Sequence, residues 1–164
     1  MRRVTILVAA GALTATTLTG GASGASGNSG SGATVTGGQV HPFAAGTGLP
    51  IEGHARMIRT ADGKTIVIVH VEGLTPAATY AVHVHDGDCA TNAAGGSHYM
   101  FATPVDGGAG PGGNEIWPGP VVATGNGVAN GRAVVDAVAG PSAQSVVVHR
   151  SGPAPNKIAC ADLT

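Results

Sequence analysis

Helix signals are nearly absent between residues 40 and 164. Short runs rich in Val and Ile are instead cut off every few residues by Gly, Pro, Asn or Asp, the pattern of strands and turns. The clearest strands run over Ile51–Arg59, Thr65–Glu72, Tyr80–His85, Arg132–Val138 and Ser145–Arg150, with weaker ones at Val40–Ala44, Val121–Ala123 and Ile158–Ala161. Pro42 would confine the first of the weak strands to a sheet edge. Asp62-Gly63 and Asn126-Gly127 mark tight turns. Roughly eight short strands in ~125 residues predict an all-β domain, an eight-stranded Greek-key β-sandwich or flattened barrel.

The core of such a domain has to be built from Val, Ile, Ala and Leu, because only 3% of residues are aromatic. That is a modest apolar contribution per residue, and a covalent link would help. The amino-terminal end carries Arg2 and Arg3, then the uncharged stretch Val4 to Leu18, then small residues around Ala22 to Ala25, as in a secretory signal peptide. The apolar run is shorter than the ~20 residues of a spanning helix, so no stable membrane insertion is expected once it is removed. Residues 1–25 are therefore expected to be a signal peptide, 26–39 a Gly/Ser-rich flexible linker and 40–164 the folded β-domain. The expected location is the cell envelope or the exterior. Export places Cys89 and Cys160 in an oxidising compartment, where two cysteines pair by default. The loop they close would stabilise by about 4 kcal/mol in the chain-entropy account. A net charge of −1 with no charged block gives no reason to expect a nucleic-acid partner or an anionic membrane surface.

One region breaks the strand rhythm. From Asp86 to Pro120 there is no convincing strand, and a loop of that length in a compact domain is usually functional or disordered. It contains Cys89 and His98 and follows a strand with His83 and His85. Two residues apart on a strand, His83 and His85 share one face, and Val82 and Val84 take the opposite, core-facing side. His149 ends the run Ser145-Val146-Val147-Val148-His149. Imidazoles converging from two strands and a loop suit Cu or Zn. His-x-His alone is a weak signal, equally at home on a surface.

Taken together, the motifs resemble those of copper/zinc superoxide dismutases. Val71-Glu72-Gly73-Leu74-Thr75-Pro76 followed by Tyr80-Ala81-Val82-His83-Val84-His85 is similar to that family's "GLT…GFHVHE" stretch. Gly96-Ser97-His98-Tyr99 resembles its "G-x-H-[FY]" element, Val147-Val148-His149 its "VVH" strand end, and Lys157-Ile158-Ala159-Cys160 its "RLAC" end. The likeness spans roughly Ile51 to Cys160 with the elements in order. It implies copper ligation by His83, His85, His98 and His149, a proton-carrying role for His98, attraction of superoxide by Lys157, and a disulfide between Cys89 and Cys160 that ties the loop to the barrel. The implied activity is conversion of superoxide to oxygen and hydrogen peroxide. A monomer is favoured, although the sequence leaves the oligomeric state open.

Three departures qualify that expectation. The family's zinc loop has two more histidines and an aspartate, whereas Tyr99 to Pro120 contains no His. Only Asp106 and Glu115 remain as acids there, a poor zinc set beside His98, so zinc is not expected. Either acid could instead hydrogen-bond the second nitrogen of His98. Next, only Arg150 to Ala159 separates His149 from Cys160, so the long charged loop that narrows the family's copper channel is missing and the metal should be more open. Finally, Lys157 stands where the family has Arg, keeping the charge but losing the planar fork; Arg150 is a second cation nearby in sequence. The chain is most similar to exported bacterial copper-only members. The alternative expectation is a copper-holding, dismutase-like module with little turnover. His41, His54 and His70 are expected to be structural or exposed, and Trp117 to be a packing anchor for the long loop.

Overall fold

The computed structural model describes residues 32–90, 95–152 and 156–164. The expected signal peptide and residues 26–31 of the expected linker lie outside the described residues. The domain consists of strands β1 (Thr34–Pro42), β2 (Glu52–Arg59), β3 (Thr65–Glu72), β4 (Thr79–His85), β5 (Val121–Val122), β6 (Ala129–Val135), β7 (Ser145–Arg150) and β8 (Lys157–Asp162), with one 3-10 turn at Ala44–Gly46. They form one antiparallel sheet in the order β5-β4-β7-β8-β1-β2-β3-β6. The two end strands, β5 and β6, also touch, so the sheet curls into a nearly closed barrel. The crossings between its halves, β3 to β4 and β6 to β7, make the expected eight-stranded Greek-key arrangement.

Alternation produces the core. On β3, Thr65, Val67, Val69 and Val71 point inward, and across the barrel Val82 and Val84 of β4 meet Val146 and Val148 of β7. Two strands, β1 and β6, differ most from the sequence reading. The first strand starts at Thr34, six residues before the expected domain start, inside the expected linker. Thr34–Gln39 pair with β2, and only Val40–Pro42 pair with β8. β1 is therefore an inner strand that changes partner midway. Pro42 is tolerated because it lies at the last position of the half that has a single neighbour, where a missing N–H breaks no ladder. β6 begins at Ala129, three residues before the expected start: Ala129-Asn130-Gly131 has poor strand propensity, but pairing with Val71, His70 and Val69 overrides it. It also ends at Val135, where the Asp136 N–H turns away to the Asp106 carbonyl.

The long connection after β4 folds back along the edge of β4 that β7 leaves free. Asp86 N–H donates to Ser97 O, Tyr99 N–H to Val84 O, Val84 N–H to Ile116 O and Gly119 N–H to Val82 O, all at 2.9–3.3 Å. Cys89 in this connection is bonded to Cys160 of β8, with Cα atoms 5.7 Å apart. The expected disulfide is present, and it fastens the loop to the barrel wall.

Replacing both cysteines by Ser should lower the unfolding free energy by about 2–5 kcal/mol in urea titration. A change of less than about 0.5 kcal/mol, the scatter of ordinary surface substitutions, would show that the crosslink does not anchor the loop.

Candidate metal centre

Register brings the four histidines together. His83 and His85 alternate on one face of β4. Across the pair with β7, Ala81 opposes His149, so the His149 side chain joins the same face. His98 forms an antiparallel bridge opposite His85. The flanking bonds, Asp86 to Ser97 and Tyr99 to Val84, make this a non-hydrogen-bonded pair, the kind in which facing side chains come closest. His149 also opposes Lys157 of β8 across a register shift, which brings the ammonium to that face. The loop covers the face: His83 and His149 are each 7% exposed and His85 is fully buried.

The resulting cluster is tight. One ligating atom from each of the four imidazoles lies within 4.8 Å of the others. Imidazole–metal bonds of about 2.0–2.1 Å allow opposite ligands roughly 4.2 Å apart, so small ring rotations would close the set around one ion. His85 Nε2 and His149 Nε2 are 3.1 Å apart. Outward nitrogens are held: His85 Nδ1 lies 3.2 Å from Gly96 O, His149 Nδ1 3.3 Å from Asn156 Oδ1, and His98 Nδ1 2.6 Å from Glu115 Oε2. That leaves Nε2 of all three for the cluster. His83 has no hydrogen-bond partner at either nitrogen although both are buried. Unpaired buried polar atoms are costly, and an ion accepting a nitrogen lone pair would satisfy this one. The donor set fits a metal.

Burial decides the charge of these rings. Desolvation pushes the His83 pKa down to about 3, with His98 and His149 adding repulsion. Desolvation also takes His85 to about 3, opposed by the Gly96 carbonyl and reinforced by Lys157. His149 is lowered chiefly by burial too. Neutral imidazole is the form that binds metal.

The neighbouring groups divide into those at the centre and those away from it. Glu115 is buried, and its Oε2 meets His98 Nδ1, the contact that either acid could have made. Asp106 is not: it is exposed, and its charge acts on Lys64, which also binds Asp136. The backbone carbonyl of Asp106 accepts from Asp136 N–H just past the end of β6. Arg150 opposes Tyr80, whose side chain is in the core, so it belongs to the other face from His149. Lys157 is the cation at the centre; Nζ donates to Gly96 O at 2.5 Å, the carbonyl that His85 also uses. Gly96 has φ +74, and a Cβ there would lie 2.4 Å from Asp86 Oδ1, so only glycine can present that carbonyl.

Trp117 does more than pack the loop, and Asn156 joins the centre through His149 Nδ1. Trp117 sits 4.5 Å from His83 between ring centres and donates to Glu115 Oε2 at 2.7 Å. Its position two residues from Glu115 was a usable signal, whereas a lone loop Asn carried none. His54 and His70, expected to be structural or exposed, face each other across β2 and β3 with centroids 5.3 Å apart. His70 further bonds Asn130 and Glu72.

For the metal-free protein, the unfolded chain binds protons at His83 and His85 from the ordinary value of 6.5, while the folded chain resists them until about 3. Stability is thus fully present above about pH 6.5 and falls as the pH drops through that window. The urea midpoint of metal-free protein should be clearly lower at about pH 5 than at about pH 7.5. Equal midpoints would contradict the burial of neutral imidazoles.

Compared with protein-family models and with curated proteins, the chain matches none.

Proposed function

We propose that the chain is an exported, copper-dependent superoxide dismutase that works without zinc. The observation carrying this reading is four imidazoles brought together, three from one sheet face and His98 from the connection opposite it, with His83 left unpaired at both nitrogens. An all-imidazole donor set suits copper, zinc, iron or nickel, and the likeness of the four histidine motifs to those of copper/zinc superoxide dismutases favours copper. Bound there, copper would supply one-electron chemistry, alternating between two oxidation states as two superoxide anions and two protons become one oxygen and one hydrogen peroxide.

The chain's own groups have separable tasks in this reading. His83, His85 and His149 hold the ion from the two strands. His98 offers Nε2 while Glu115 holds Nδ1, and its side chain, 34% exposed, is the wettest of the four. When its Nε2 is not holding the ion, it is the ring best placed to take a proton there from solvent and pass it to reduced substrate. With Nδ1 engaged by Glu115 and Asp106 exposed and acting on Lys64, His98 is left with a single acid beside it, a poor set for zinc. Lys157 provides positive charge for a small anion. Asp86 opposes the desolvation that lowers its pKa.

A second reading, a copper-holding module with little turnover, is favoured by the tether of Lys157 to Gly96 O, which draws its ammonium to backbone instead of leaving it to guide substrate.

Pulse radiolysis on copper-loaded protein separates the two. Fast dismutation that slows as salt rises is expected, because charges are screened over roughly 8–10 Å near physiological ionic strength. Lys157→Ala should flatten the salt dependence with copper retained, and His149→Ala should lose both copper and activity. If the loaded protein is no faster than its His149→Ala variant, the enzyme reading falls and the copper-holding one stands.

A further inference from the structure

Glu115 is a carboxylate with only 6% exposure in the wall of the histidine cluster. A buried carboxylate is costly unless donors meet it. Two do, and on the same atom: His98 Nδ1 at 2.6 Å and Trp117 Nε1 at 2.7 Å from Oε2. The backbone around them is clamped. Glu115 exchanges backbone hydrogen bonds with Ala109, Val84 N–H donates to Ile116 O, and Arg132 N–H donates to Pro118 O, so Trp117 is held between β4 and β6. Gly110 lies against the carboxylate, where a Cβ would stand 2.7 Å from Glu115 Cδ. The indole is also tilted 33° over His83 at 4.5 Å and stands edge-on, at 89° and 6.5 Å, to His98.

We infer that Trp117 is a positioning residue that acts through Glu115 to fix His98, while its ring walls the His83 side of the cluster. The inference rests on the metal-site reading above. An indole N–H can only donate. Its bond therefore requires Glu115 Oε2 to be an acceptor and resists rotation of the carboxylate. With Oε2 accepting, His98 must carry its hydrogen on Nδ1, and Nε2 is left with a lone pair toward the cluster. That is how a partner of a metal-binding imidazole sets its tautomer and orientation. Packing alone would need only the ring, not the N–H.

The test measures copper affinity by chelator competition for the wild type, Trp117→Phe, Glu115→Gln and the double variant, each also by the Cu(II) electron paramagnetic resonance spectrum. Trp117→Phe should bind copper about 10-fold more weakly, as partners of metal ligands commonly do when removed, with a changed spectrum. In the Glu115→Gln background it should have no further effect. If Phe impairs folding by circular dichroism, β-3-benzothienylalanine at position 117 keeps the ring size and removes only the N–H. Trp117 is the chain's single tryptophan, so Cu(II) should quench its emission to a one-to-one end point. Unchanged affinity and spectrum, an undiminished effect in the Glu115→Gln background, or stoichiometric binding without quenching would overturn the inference. A wild type that takes up no stoichiometric copper would instead overturn the metal reading beneath it.

Discussion

Strand β4 is hydrogen-bonded along both edges, and the site depends on that double pairing. One edge belongs to β7, from far along the chain; the other is shared by β5 at its start and by the connection that leaves β4 at its end. The first pairing brings His149 to the face of His83 and His85, and the second brings His98 opposite His85. A one-residue slip in either would send a histidine to the opposite face. The Cys89–Cys160 bond supports the second pairing by holding the loop to β8, next to the strand whose register matters most.

The same covering that builds the site makes it expensive. Three imidazoles are stripped of water, which keeps them neutral, and His83 is left without a partner. Each unpaired buried polar group costs about 1–3 kcal/mol. The aliphatic barrel and the crosslink offset that cost in the metal-free protein, and a bound ion would relieve it. Local instability is accepted where ligand binding can remove it.

Much of this was legible in sequence because strand periodicity is short-range. Val82 and Val84 against His83 and His85, and the β3 and β7 bounds, follow from alternation alone. The fold class followed from turns and strand count. What needed structure was long-range register. Nothing local shows that His98 lies opposite His85, that Asp106 leaves for β6 while Glu115 stays, or that Arg150 turns to the other face. β1 was misjudged for a related reason: Gly37 and Gly38 read as linker, yet both lie in the ladder with β2. Trp117 could be assigned to the loop but not to a hydrogen bond with Glu115.

The central claim is that four histidines form one copper centre. Copper K-edge X-ray absorption on protein loaded with one equivalent tests it most directly. Three to four imidazole nitrogens are expected at about 2.0–2.1 Å, the usual length of an imidazole–metal bond. A copper shell made mainly of oxygen, or with no more than one imidazole, would contradict it.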